Sequence, residues 1–315
     1  MKALGRMREM HWHRLPGQLE RRSAMSELRR PGRRRAATPL EALVARIDAA
    51  GADNPSPDTV ASGFPSLDRT LGSGFRRQDL IVLCGDVGSG KSAFGLGLAL
   101  RAARLGTPTL VLSGEMGEER LRERALAIEG RVSIDELRQG RLNEASRAAV
   151  GAAAVAQRDL PLRLAALLEP GSGEVEAALE EIPRRGLVVL DYLQLLHPTG
   201  AAPRQDERAA VAMRWLKSLA VRSNVALVAL AQLPAHRRER PDPRPSLDDR
   251  GARGAVKQHA DIVLALYREE MYRPGHGVEG ATELMLLKNR NGPTGFVDLF
   301  FHQKWLRFED LLDRD

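Results

Sequence analysis

The residues Gly85-Asp86-Val87-Gly88-Ser89-Gly90-Lys91-Ser92 fit the pattern G-x-x-x-x-G-K-[ST], and they lie between an apolar run and an Ala/Leu-rich stretch of helical character. The glycines let backbone N–H groups turn inward around phosphate oxygens. The helix expected next, running to about Leu105 and ending at Gly106, points its positive end at the same place. Lys91 would bridge the β- and γ-phosphates of a nucleoside triphosphate such as ATP, and the Ser92 hydroxyl would ligate Mg²⁺. The competing explanation is a glycine-rich turn with a chance Lys-Ser. Composition speaks against it: six of the 48 basic residues are lysines, so a base placed at random would usually be arginine. Lysine supplies the compact point charge that this loop requires.

Hydrolysis of a triphosphate needs more than a cradle. Leu187-Val188-Val189-Leu190-Asp191 reads as a buried strand delivering a carboxylate at its carboxyl end, where Asp191 can support Mg²⁺ through water. Glu115, just past the run Thr109–Ser113 and expected beside the phosphate-loop strand, is placed to orient and deprotonate an attacking water, with a plain surface glutamate as the alternative. Gln232 follows the run Val225–Leu230 and would sense the γ-phosphate, unless it is an ordinary strand-end amide. Segments 283–290 and 296–301 flank Asn291-Gly292, a hairpin signal. Lys288 and Arg290 sit two apart there, on one face. They are either a solvated cation pair or a finger that completes another subunit's site. The stretch from His236 to Gly254 is basic and rich in Pro and Gly, so a mobile loop is expected that either grips nucleic-acid phosphates in a ring's channel or is merely solvated. With 4% aromatic residues, backbone tracking outweighs base stacking.

Positioning these groups takes a sheet. The runs Leu80–Cys84, Thr109–Ser113, Leu187–Leu190, Val225–Leu230 and Ile262–Leu266 are continuously apolar and alternate with Ala/Leu/Arg helices, which means a mostly parallel sheet covered on both faces. Ligands in such sheets bind beyond the strands' carboxyl ends, where the residues named above lie. Ahead of the sheet, Thr38-Pro39-Leu40-Glu41 combines a capping hydroxyl, a proline at the first helical position and a reciprocal glutamate. Leu40, Leu43, Val44 and Ile47 line one face of that helix and must pack on the chain's own core or on a neighbouring subunit. The expected organisation is a disordered basic arm over 1–37, a linker helix and linker over 38–58, and an α/β domain over 59–315.

The 315 residues are 43% hydrophobic, enough for a full core. No stretch approaches the ~20 apolar residues of a membrane span, and 1–37 lack the apolar middle of a signal peptide, so a soluble cytoplasmic protein is expected, with no membrane partner. The net charge of +7 is concentrated in 1–37, which hold eleven Lys or Arg against three acids. The remaining 37 bases against 38 acids leave the globular part balanced. The only cysteine, Cys84, is read as a small buried thiol. Met25 is an alternative start, and His11 and His13 are too few to hold a metal.

Taken as a set and in order, these residues resemble the carboxyl-terminal RecA-like domain of DnaB-type replicative helicases, over about Thr59 to Asp310. The likeness is carried by Ser62-Gly63-Phe64, the phosphate loop, Leu112-Ser113-Gly114-Glu115-Met116, Asp191-Tyr192-Leu193-Gln194-Leu195 and Leu230-Ala231-Gln232-Leu233. It continues through Gln258-His259-Ala260-Asp261, Tyr267-Arg268-Glu269-Glu270 and Lys288-Asn289-Arg290-Asn291-Gly292-Pro293. The resemblance implies a RecA-like ATPase with a carboxyl-terminal β-hairpin, acting with ATP and Mg²⁺ as a homohexameric ring on single-stranded DNA. In that frame Lys91 and Ser92 bind nucleotide and metal, Glu115 activates water and Asp191 supports the metal. Gln232 couples nucleotide state to the DNA loops, Lys288 and Arg290 reach the adjacent subunit's site, and the 38–50 helix docks on a neighbour. Residues 1–37 have no room for the family's helical amino-terminal domain, so primase engagement is not expected. Where the family carries Arg-Glu-Ser-Gly, this chain has Arg250-Gly251-Ala252-Arg253-Gly254, which makes Arg250, Arg253 and Gly254 its candidate DNA contacts, and Ser92 stands where threonine is common. The alternatives are a nucleotide-switched DNA scaffold or loader that does not unwind, and a recombination-type RecA relative.

Overall fold

The computed structural model describes residues 38–49, 58–168, 171–181, 186–191, 205–232, 240–248, 254–275 and 277–313. The expected basic arm, the 50–57 linker, Tyr192–Leu195, Leu233, Arg250 and Arg253 lie outside them. The chain divides into two compact units, Met1–Ala45 and Arg46–Asp315.

The first helix, α1 (Pro39–Ala49), starts as its sequence dictates. The Glu41 amide donates to the Thr38 hydroxyl (3.2 Å) and the Thr38 amide donates to the Glu41 carboxylate (2.7 Å), satisfying two helix-start donors reciprocally. Leu40, Leu43, Val44 and Ile47 are all exposed.

A nine-stranded sheet organises the second unit. It is preceded by a separate antiparallel pair, β1 (Thr59–Val60) and β2 (Phe75–Arg76), with α2 (Pro65–Leu71) between its strands. The large sheet runs β11 (Arg307–Asp310), β10 (Gly295–His302), β9 (Ala281–Asn289), β8 (Ile262–Arg268), β3 (Leu80–Gly85), β7 (Ala226–Gln232), β6 (Leu187–Asp191), β4 (Thr109–Ser113) and β5 (Leu162–Ala166) across its width. The six strands β3 to β8 are parallel to their neighbours, while β9, β10 and β11 join antiparallel. Every residue of β3, β6 and β8 is buried, because a strand covered on both faces can carry no polar side.

Alternate residues feed two cores. Ile81 and Leu83 point to a core shared with α3 (Lys91–Arg104) and α4 (Glu118–Gly130), whereas Leu80, Val82 and Cys84 meet α7 (Ser172–Glu180) and α8 (Gln205–Ser223) on the other face. Between α4 and β5 the chain forms α5 (Ile134–Arg138) and α6 (Glu144–Arg158). Helix α3 is fixed by Phe94, which is fully buried, stacks on Phe64 at 4.8 Å and meets Phe308 edge-on at 5.4 Å. A ring so placed contributes about 3–5 kcal/mol against truncation to alanine. It also aims the start of α3 at the ligand end of the sheet.

Two details depart from the sequence expectations. The strand β5 goes unseen in the sequence. The hairpin is not closed tightly on Asn291-Gly292, since its last pair is Leu286 with Gly295, while β9 continues beside β8 as far as Asn289. The Asn289 side chain shapes the tip, accepting from the Asn291 amide (3.2 Å) and donating to the Pro293 carbonyl (3.2 Å). Within the stretch expected as a basic loop, residues 240–248 form no helix or strand and touch the sheet. There Arg244 makes a two-pronged pair with Glu283 (2.6 and 2.9 Å) and lies over the Tyr267 ring.

Candidate active site

The phosphate loop leaves β3 at Gly85 and enters α3 at Lys91, as the motif requires. Gly85 admits no side chain, because a Cβ there would lie 2.5 Å from the Ser89 hydroxyl and 3.1 Å from the Lys91 stem. Gly90, the residue before α3, has φ +94°, a conformation open to glycine, and a Cβ on it would press into Phe308. The first amides of α3 have no partner within the helix and face the loop's interior. The Ser89 hydroxyl is buried without a hydrogen-bond partner. Lys91 donates to the Asp86 carbonyl at 2.8 Å. Burial lowers the Lys91 ammonium from its ordinary value, and the charges of Asp191 and Asp86 oppose that shift.

Three further strands deliver the remaining groups. Asp191 ends β6, is buried, and lies beside the Ser92 hydroxyl. Burial raises its carboxyl above the ordinary range; the Ser92 hydroxyl and Lys91 oppose the shift, while nearby Glu115 adds to it. Gln232 ends β7 directly opposite Gly85. Glu115 was expected beside the phosphate-loop strand, but β7 and β6 separate β4 from β3. It reaches the site because Ser113 pairs with Asp191 and the Gly114 amide donates to the Asp191 carbonyl at 2.8 Å. The Ser113 hydroxyl then accepts from the Glu115 and Met116 amides, fixing the turn. One pocket is lined by Gly88, Lys91, Ser92, Glu115, Asp191 and Gln232 together. Asp86 is buried against the loop and Val87 stands exposed at the rim.

Two arginines in this pocket carried no site signal in the sequence beyond, for one of them, a place in a family block. Arg124 projects from α4 toward Asp191 and Glu115; burial lowers its pKa, and its Nε is buried without a partner. A lone arginine on a charged helix gives no pattern to read. Arg268 ends β8, is buried, pairs with Glu270, lies over Phe301 and donates to the Gly88 carbonyl at 3.1 Å. Its position at a strand's carboxyl end is the signal that would have found it. Tyr272 adds a hydrogen bond to the Asp86 carboxylate at 3.2 Å. Phe301 of β10, with Gln303 and Leu306 from the β10–β11 connection, also lines the pocket, with Leu306 in the left-handed region at φ +56°.

Lys288 and Arg290 are absent from this pocket. Arg290 falls one residue beyond β9, and its guanidinium pairs with Asp261 at 2.9 Å, at the start of β8. Lys288 donates to the Lys257 and Ala260 carbonyls (2.7 and 2.6 Å), at the end of α9 (Ala255–His259). Since Arg268 marks the other end of β8, Arg290 stands roughly 20 Å from its own chain's pocket, taking ~3.3 Å per strand residue. Of the candidate DNA contacts, Gly254 is described, at φ +87° before α9.

Residues 59–310 match the model of the DnaB-like helicase C terminal domain. The chain is 32% identical over 258 residues to the replicative DNA helicase DnaC of Bacillus subtilis (strain 168), covering 80% of this chain and 56% of that protein, so it spans about half the length of the curated relatives it matches. Among solved structures, it resembles an ATPase domain with a TM-score of 0.78 at 26% identity, over 86% of this chain and 97% of that one. A DnaB-like replicative helicase, described with its interactions with primase, superposes with a TM-score of 0.81 at 25% identity, over 88% of this chain and 68% of that one. The RecA-like fold expected of the sequence is the fold of these neighbours. No helix among the described residues is long and apolar enough to cross a membrane.

Proposed function

The chain belongs to the family of DnaB-like helicase C-terminal domains, and we propose from that premise that it is the ATP-hydrolysing motor of a ring-shaped helicase that moves along single-stranded DNA and unwinds duplex during replication in the cytoplasm. The observation that carries this reading is the convergence of Lys91, Ser92, Glu115, Asp191 and Gln232 at the carboxyl ends of four strands. Lys91 and the amides of residues 85–92 hold the triphosphate, and the buried, unpartnered Ser89 hydroxyl suits an environment where phosphate oxygens supply acceptors. The wall of Phe301, Gln303 and Leu306 offers the nucleoside an apolar surface with one amide.

Ser92 and Asp191 present hydroxyl and carboxylate oxygens side by side, a donor set that fits Mg²⁺, and these two residues would hold it. When bound, the ion supplies positive charge to the phosphate oxygens as negative charge develops on them. Glu115 orients a water against the γ-phosphate and takes its proton, while Gln232, one strand from the phosphate loop, contacts the γ-phosphate and passes its presence along β7.

Arg290 cannot serve its own pocket at the far end of β8, and this distance supports its assignment, with Lys288, to a neighbouring protomer's site. A finger at one end and a pocket at the other make a head-to-tail contact, the type that closes into rings, with six subunits expected from the family resemblance. Arg250, Arg253 and Gly254 would meet the DNA backbone from the channel side.

The deciding experiment measures ATP hydrolysis with and without single-stranded DNA, together with fork unwinding, for the native chain and Lys91→Ala. Native protein should hydrolyse and unwind, and the variant should do neither. Unchanged turnover in Lys91→Ala would overturn the site. ATP-dependent DNA binding without strand displacement would leave a nucleotide-switched scaffold in place of a motor.

A further inference from the structure

Arg290 is half exposed, yet one of its nitrogens is anchored on a carboxylate that is almost wholly buried, Asp261, whose side chain is 2% exposed. That carboxylate is held from behind as well. Its second oxygen accepts from the Leu80 amide at 2.9 Å and from the Lys217 ammonium at 2.5 Å, and Lys217 also donates to the Gln78 carbonyl. The two backbones are joined too: the Asp261 amide donates to the Leu80 carbonyl and the Arg290 amide donates to the Asp261 carbonyl, each at 2.9 Å. Asp261 therefore sits between the first residue of the phosphate-loop strand, Leu80, and the side chain at the hairpin tip.

A guanidinium paired with a carboxylate would ordinarily present little net charge to a third group. Here Lys217 lies on the opposite oxygen of the same carboxylate, so Arg290 is not its sole counter-ion. Five donors in a rigid planar fork can be turned to one orientation by a single fixed nitrogen, and a half-exposed guanidinium has the rest of its fork available for an outside anion. Truncation of a long flexible side chain's anchor costs orientation first.

We propose that Asp261 is a positioning residue for Arg290: its buried carboxylate, held from behind by the Leu80 amide and Lys217, fixes the guanidinium in the orientation that meets phosphate in the neighbouring protomer and ties it to the base of the phosphate-loop strand. This rests on the assignment of Arg290 to a neighbouring site, and the experiment separates the two. Steady-state ATP hydrolysis and binding of a fluorescent ATP analogue are measured for Asp261→Asn, Arg290→Ala and the double variant. Arg290→Ala should lower kcat by about 10³-fold with nucleotide affinity retained. Asp261→Asn should lower kcat by about 10- to 100-fold with KM unchanged, the size expected of a misplacement by about 1 Å. The double variant should match Arg290→Ala alone, because a positioning residue has nothing left to position.

Losses that multiply in the double variant would overturn the proposal, as would native turnover in Asp261→Asn. If Arg290→Ala itself hydrolyses ATP normally, the neighbouring-site assignment falls first, and the proposal falls with it. Should Asp261→Asn fail to bind nucleotide, Asp261→Asn with Lys217→Met removes the carboxylate together with the ammonium bonded to it, so that Lys217 is not left facing an amide. That paired variant goes through the same cycle with the same criteria.

Discussion

Asp79 lies next to this network and gives its most quantitative test. It ends the turn before β3 with 8% exposure; one carboxylate oxygen has no hydrogen-bond partner, and Lys217 stands 4.0 Å from the other. Burial, followed by the charge of Asp261, pushes its carboxyl from 3.8 up to about 6, against the opposing pull of Lys217, Arg76 and Arg290. The native state thus binds a proton more tightly than the unfolded chain does. The stability this provides is complete below pH 3.8 and is lost as the pH rises through about 6. At ~1.36 kcal/mol per unit of pKa, the whole effect is about 3 kcal/mol, of which roughly half falls between about pH 5 and about pH 8. Partial solvent screening reduces that half to about 1 kcal/mol. Asp79→Asn, which cannot ionise, should gain about 1 kcal/mol on the native protein between those two pH values, seen as a relative rise in Tm of roughly 2–4 °C. Thermal melts followed by the fluorescence of Trp215 and Trp305 measure it. A Tm difference between the two proteins that stays constant with pH, or that favours the native chain at higher pH, refutes the argument that Asp79 is forced to carry a poorly compensated charge.

Three further outcomes follow from the geometry. Glu115→Gln should reduce ATP hydrolysis by about 10²- to 10⁴-fold while an ATP analogue binds as before, because the amide keeps the turn over Ser113 but cannot take a proton; equal loss of binding would remove Glu115 from the chemistry. Phe94→Ala should lower stability by about 3–5 kcal/mol in urea denaturation, and should weaken nucleotide binding in proportion to the loosening of α3; unchanged stability would mean that the Phe64–Phe94–Phe308 contacts do not fix that helix. Removing residues 1–24, which carry six of the chain's basic residues, should flatten the salt dependence of DNA binding, and an unaltered slope would deny the arm a phosphate-contacting role.

The parts of the fold legible in the sequence are those where one physical requirement dominates. Leu80–Cys84 and Leu187–Leu190 could be read as strands because a parallel strand buried on both faces must be apolar throughout, and the Thr38-Pro39-Leu40-Glu41 box fixed its helix start through local hydrogen bonds alone. The edge strand β5 escaped for the same reason. Its Leu-Arg-Leu-Ala-Ala is only half buried and has little β preference, with Arg163 directed outward to pair with Glu181. The phosphate loop, Asp191 and Gln232 were legible as residues at strand ends. Strand order was not legible, because nothing within β4 says that β6 and β7 insert between it and β3, and so Glu115 was placed beside the wrong neighbour. Arg124 and Arg268 come from a helix face and a strand end that only the folded sheet brings to the pocket. Lys217, Asp79 and Asp261 are far apart in sequence and became a network only through three adjacent chain crossings.

The same sheet explains why finger and pocket belong to different protomers on the proposed reading. In a parallel sheet the loops that bind ligand all emerge at one end, so β3, β6, β7 and β4 leave the opposite end, where Leu80, Asp261 and Arg290 meet, without a share in their own nucleotide. On that reading the chain holds one half of a site at each end and completes neither alone. Strand β3 runs unbroken between the two halves, with Gly85 opening the phosphate loop and Leu80 bonded to the carboxylate that holds Arg290. Because buried, fully hydrogen-bonded strands scarcely deform, a displacement of the phosphate loop on nucleotide binding or release would, on the proposed reading, be carried along β3 to Asp261 and on to the arginine assigned to the next protomer. Occupancy of one pocket would then bias hydrolysis in its neighbour through a covalent strand of six residues, without any long chain of side-chain contacts.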